Sequence, residues 1–179
     1  MADLRGHAVF LSASFPSADE RGQRFAPFDA AGIADAVTVA GELDREGAVD
    51  VYQSAHFEPQ IPPATWQLVE RYGKLHMVPA DESGEREPSL ERMRRQMLGR
   101  EDLLAGVFVG GMDGIADEYR MLRDLSDVPV VPIAAPGGAA RELEPSPQVA
   151  ARLGPTLRSE RYPALAMDLV ALLAEQLGV

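Results

Sequence analysis

Short apolar runs alternate with longer amphipathic stretches along the chain, and this alternation constrains the fold more than any other feature. Ala8-Val-Phe-Leu11, Val49-Asp-Val-Tyr52, Leu75–Val78, Leu103–Val109 and Val128–Ala134 read as strands. Between and after them the apolar residues fall at helical spacing. Asp29 is placed to cap a helix carrying Ile33, Ala36, Val37, Ala40 and Leu43 before Gly47. Trp66, Val69 and Tyr72 mark a short helix closing at Gly73, and Ser89 is placed to cap one with Leu90, Met93 and Met97. Asp113 precedes a stripe of Ile115, Tyr119, Leu122 and Leu125, and Pro163 opens a final helix with Leu165, Leu169, Leu172 and Leu173. Strands this apolar, each followed by a helix, belong in a parallel sheet covered on both faces. The expected fold class is α/β: a Rossmann-like three-layer α/β/α domain with a mainly parallel sheet of about five strands. No repeat or linker divides the 179 residues, so one domain over 1–179 is expected.

Composition excludes several functions. Seventeen basic against 28 acidic residues give a net charge of −11, a field that repels nucleic-acid backbones and anionic lipid. No DNA, RNA or membrane partner is expected. There is no cysteine, and the three histidines, His7, His56 and His76, share no metal-ligand spacing, so no metal site is expected. The apolar run before Ser12 is too short for a signal peptide, and no run approaches the roughly 20 residues that span a bilayer. A cytoplasmic location is expected.

In parallel α/β sheets, ligands bind beyond the carboxyl ends of the strands. Three of the expected strands end in small, polar or glycine-rich loops, namely Ser12-Ala-Ser14, Gly110-Gly-Met-Asp-Gly114 and Pro136-Gly-Gly138; a fourth ends in Gln53-Ser54. Glycine admits close approach of backbone N–H groups to an anion, and a following helix N-terminus adds partial positive charge. Any one loop could simply turn the chain; four at one sheet edge point to a phosphate or ribose cradle. Arg94, on the helix before the fourth strand, could fork onto a phosphate, and adjacent Arg95 is the substitute. Glu118, four residues after Gly114, could accept ribose hydroxyls or act as an acid or base, or merely complement its helix dipole. No Gly-x-Gly-x-x-Gly follows the first strand, no Gly-Lys-Ser/Thr loop exists, and no serine–histidine–acid triad is visible, so no catalytic residue is assigned.

Phe10-Leu-Ser-Ala-Ser-Phe-Pro16, Val51-Tyr-Gln-Ser54 with Phe57-Glu58 and Ile61-Pro62, Met93-Arg94, and Val107-Phe-Val-Gly-Gly-Met-Asp-Gly-Ile-Ala-Asp-Glu118 resemble the SLOG superfamily. This is the Rossmannoid group joining the Smf/DprA and LOG proteins, and the likeness is greatest to its branch associated with TIR and sirtuin-type domains in bacterial defence. The resemblance runs from Val9 to Ala140. It implies a sensor domain for a nucleotide-derived ligand, a cyclic ADP-ribose-type product of NAD in the TIR-linked branch. By position it carries ligand-binding roles to Ser12, Ser14, Arg94, Gly110, Gly111, Met112, Gly114 and Glu118, with Gly137 and Gly138 in a second glycine turn. LOG enzymes carry Pro-Gly-Gly-x-Gly-Thr-x-x-Glu; here Asp113 is inserted before Gly114 and Ile115 replaces the threonine, a departure that weighs against glycosidic cleavage.

The expected function is therefore a cytoplasmic sensor of a small nucleotide-derived ligand, with no cofactor, a TIR-domain protein as partner and self-association through the leucine-rich final helix. A LOG-like nucleotide N-glycosidase is the alternative, and an oligomerisation or adaptor module with a vestigial pocket is the third reading.

Overall fold

The computed structural model describes residues 7–14, 49–61 and 63–178. In chain order these form β1 (Ala8–Ser14), β2 (Val49–Ser54), α1 (Pro63–Tyr72), β3 (Gly73–Val78), α2 (Arg86–Leu98), β4 (Leu103–Gly110), α3 (Asp113–Leu125), β5 (Val130–Ile133), α4 (Pro147–Leu153) and α5 (Tyr162–Leu177). Short 3-10 helices lie at Ala55–Gln60, Ala139–Glu142 and Thr156–Arg158. The class is α/β, and all the described strand pairs are parallel. The five strands are grouped as a three-stranded sheet, ordered β1-β4-β5, and a two-stranded sheet of β2 and β3. The helix expected after Asp29 lies outside the described residues.

The chain divides into two compact units. One contains β1 and everything described from β4 onward. Its central strand, β4, is buried along nearly its whole length, as a strand covered on both faces must be. Alternation sorts its side chains. Ala105, Val107 and Val109 share a core with Val131 and Ile133 of β5, Val149 and Leu153 of α4, and Leu165, Leu169, Leu172 and Leu173 of α5. Leu11 and Ala13 of β1 pack against the same core.

On the other face, Phe108 meets Phe10 of β1 edge-on at 5.7 Å and Tyr119 of α3 at 5.9 Å. Gly106 lies on that face too, and a Cβ there would sit 2.2 Å from Leu122 Cδ2. Glycine in the middle of an apolar strand thus lets α3 lie close against the sheet. Helices cover both faces of this unit, the expected three layers. Leu165, Leu169, Leu172 and Leu173 of α5 are buried inside this unit, whereas Met167 is 74% exposed.

The other unit lies within Asp44–Arg100. There β2, α1 and β3 form a strand–helix–strand crossover, with Asp50 level with Lys74 and Tyr52 level with His76. Helix α2 follows and starts at Arg86, three residues before the expected cap. Ser89 is buried inside it instead: its hydroxyl donates to the Glu85 carbonyl at 2.7 Å and accepts from the Asp81 N–H at 3.0 Å. It ties down the preceding acidic loop rather than opening the helix.

Candidate functional site

In the first unit β1 and β4 run in register, with Ser12 level with Phe108 and Ser14 level with Gly110. Both strands therefore deliver their carboxyl ends to one edge of the sheet. Beyond β4 the chain turns through Gly110 and Gly111, at φ of 62° and 70°. Helix α3 follows at once. Met112 is its N-cap, with extended backbone and no capping side chain, so Asp113 is the first helical residue and not the cap expected. Gly114 lies in that first turn. The second glycine turn, beyond β5, has Gly137 at φ 82° and Gly138 at φ 70°.

The two turns are packed backbone on backbone. A Cβ on Gly138 would lie 2.5 Å from the carbonyl carbon of Gly110, and the Ala139 N–H donates to the Gly111 carbonyl at 3.0 Å. A Cβ on Gly111 would lie 2.0 Å from Ile115 Cδ1. Gly111 and Gly138 are thus required by the chain's own packing, before any ligand is considered. The sequence reading places both turns at one sheet edge, and the pairing of β4 with β5 is what packs one on the other.

Glu118 lies where the helical period turns α3 toward the sheet. Ile115 packs on Gly111, Tyr119 on Phe108 and Leu122 on the space over Gly106, so position 118 belongs to an inward stripe. A carboxylate there requires a donor. Ser12, buried in β1, supplies one: its hydroxyl donates to Glu118 Oε2 at 2.5 Å. Alternation along β1 explains why. Phe10 and Ser12 face α3, while Leu11 and Ala13 face the α4–α5 core. Asp117, next to Glu118, instead pairs with Arg120 at 3.0 Å.

The structure thus brings Ser12, Gly110, Gly111, Met112, Gly114, Glu118, Gly137 and Gly138 together within the first unit, with the backbone of Ser14 beside Gly110. Gln53, Ser54 and Arg94 belong to the second unit. Ser54 is fully buried at the end of β2, where its hydroxyl accepts from the His56 N–H at 3.3 Å and caps the 3-10 helix Ala55–Gln60. Gln53 is partly buried on β2, level with Met77. Arg94 is partly buried on α2. Arg95 is exposed and grips Glu91 through two nitrogens at 2.8 and 2.9 Å, the ordinary behaviour of a solvated helix face.

One cluster in the second unit was not read from the sequence. Asp50 accepts from Arg100 Nη1 at 2.7 Å and lies 2.6 Å from His76 Nε2, and the rings of Tyr52 and His76 stack at 4.7 Å. Burial disfavours the Asp50 carboxylate, but the hydrogen bonds and charges of Arg100 and His76 outweigh it and hold the group below its ordinary value. The signal lay in the parallel register, which sets position 50 near position 76 on one face of the strand pair.

Among the described residues no group of three or more histidine, aspartate or glutamate side chains could hold a metal ion, and no helix is long and apolar enough to cross a membrane. No curated protein and no solved structure matches the chain. The model of the SLOG cluster3 family matches residues 33–166, well over half of the sequence. A parallel α/β fold with its glycine turns at the strand ends agrees with that match, and the chain belongs to the SLOG cluster3 family.

Proposed function

We propose that this protein is a sensor domain that binds a small nucleotide-derived ligand at the strand ends of its first unit. The observation that carries the reading is the meeting of two positive-φ glycine turns beside a helix start without a capping side chain, with Glu118 one turn further along. Such a helix start offers N–H donors and partial positive charge to a phosphate or diphosphate. A carboxylate only accepts hydrogen bonds, so Glu118 suits the hydroxyls of a ribose. An NAD-derived molecule of the cyclic ADP-ribose type has both groups, and a TIR-type NAD-consuming protein is the partner proposed to supply it. Ligand binding biases a two-state equilibrium, for which we propose self-association as the output.

Nucleotide N-glycosidase chemistry is the competing reading. It usually requires a second acid or base and a placed water besides one carboxylate, and the adjacent Asp117 is turned to Arg120. The test is incubation with AMP, NAD and ADP-ribose, followed by chromatography for free base and calorimetry for binding. Binding without turnover is the expected result. Base release abolished by Glu118→Gln would establish the enzyme instead, and absence of both binding and turnover would leave the adaptor.

A further inference from the structure

We infer that Ser12 is a positioning residue for Glu118, acting on a bound ribose through that carboxylate and making no contact with the ligand itself. The inference rests on the ligand-binding reading above and assigns Ser12 a different part in it from the direct contact expected from the sequence. Ser12 is 6% exposed, lies two residues short of the end of β1, and donates a hydrogen bond from its hydroxyl to Glu118 Oε2. Phe10 precedes it on that face of the strand, and Phe108 lies level with it on β4. A hydroxyl in such surroundings is directed by whatever acceptor it finds, and here it finds a carboxylate carried by the facing helix.

Glu118 has three side-chain torsions to fix, and the helix sets only where its Cα lies. A charge-assisted bond from a rigid strand limits the orientations of the carboxylate before a ligand arrives, which lowers the ordering cost of recognition. Ser12 therefore contributes to how well the site distinguishes a ribose from its deoxy counterpart. The N–H donors at the start of α3, which suit phosphate, are left as they were.

The test is a double-mutant cycle on the full chain, with ADP-ribose binding measured calorimetrically for wild type, Ser12→Ala, Glu118→Ala and the double variant. AMP, 2′-deoxy-AMP and inorganic pyrophosphate serve as further probes, and circular dichroism checks each fold. Ser12→Ala is expected to weaken ADP-ribose by about tenfold and to erase the preference for AMP over 2′-deoxy-AMP, with pyrophosphate binding unchanged. The double variant is expected to bind no more weakly than Glu118→Ala alone, and Ser12→Thr, which retains the hydroxyl, to recover most of the loss. Additive losses would mean that Ser12 touches the ligand, and an unaltered Ser12→Ala would mean that it contributes nothing; either result overturns the inference. Equal loss of pyrophosphate binding would reveal mere structural damage and overturn it as well. If the wild type binds none of the nucleotides, the ligand-binding reading itself fails and the inference falls with it.

Discussion

At Gly138 the main chain combines a left-handed φ of 70° with a backbone neighbour, the Gly110 carbonyl carbon, 2.5 Å from where a methyl group would go. Neither penalty can be relieved by a rotamer change. Gly138→Ala is expected to cost about 2–4 kcal/mol, seen as a lower denaturation midpoint with an unchanged slope. Gly84 is the internal control. Its φ is also 70°, yet nothing lies within 4 Å of the added carbon, so Gly84→Ala should cost only about 1 kcal/mol. The same contrast shows what was legible in the residues. Paired glycines after a strand announce a turn, and each pair has the positive φ of one. What packs against each turn was not legible, because Gly110 and Gly138 meet only once β4 and β5 pair. Glu118 was noticed as a carboxylate near a helix start. The fuller signal was its place in the stripe of Ile115, Tyr119 and Leu122, where an acid needs a donor from the sheet.

Helix α3 docks by fitting Leu122 into the space that Gly106 leaves open, and this fit can be tested as a unit. Gly106→Ala is expected to destabilise the protein by about 1–3 kcal/mol. Combined with Leu122→Ala it should cost clearly less than the sum of the single changes, because the second substitution removes the colliding atom; equilibrium unfolding of the four proteins measures this. In the second unit the Asp50 carboxylate is held ionised by Arg100 and His76, so its folded pKa lies below its unfolded one. Its stabilising effect is complete above the ordinary carboxylate range, near 3.8, and is lost as the pH falls through the lower folded value. Asp50→Asn should therefore lower stability at neutral pH and make the acid side of the stability profile shallower, as followed by denaturation at a series of pH values. Helices and strands were legible as kinds of element because period and apolarity are local. Their ends were less so: Ser89 and Asp113 have the chemistry of caps, but burial of Ser89 against its loop and the turn at Gly110 and Gly111 moved the helix starts elsewhere.

Across the whole molecule the net charge of −11 opposes an anionic ligand at long range, so recognition must come from short-range donors. Association of ADP-ribose is expected to quicken modestly as salt is raised, the reverse of a nucleic-acid binder, and stopped-flow rates at several ionic strengths would show it. The α/β class was legible because alternating strand and helix patterns leave few other architectures. The division into two compact units was not, since it depends on which strands pair, β1 with β4 and β2 with β3. The β1–β4 pairing carries one more consequence. Ala8 pairs with Leu103, so during synthesis the first strand leaves the ribosome long before this partner exists, and the whole of β2, α1, β3 and α2 is made in between. The local crossover of the second unit can form early, while Phe10 and Leu11 wait with their sheet-forming edge open. Closing so long a loop is a slow step, and an unpaired apolar strand is prone to join other chains. The nascent protein is therefore expected to be most prone to aggregation before β4 emerges, and a chaperone that shields extended apolar segments is expected to raise the soluble yield of translation in vitro.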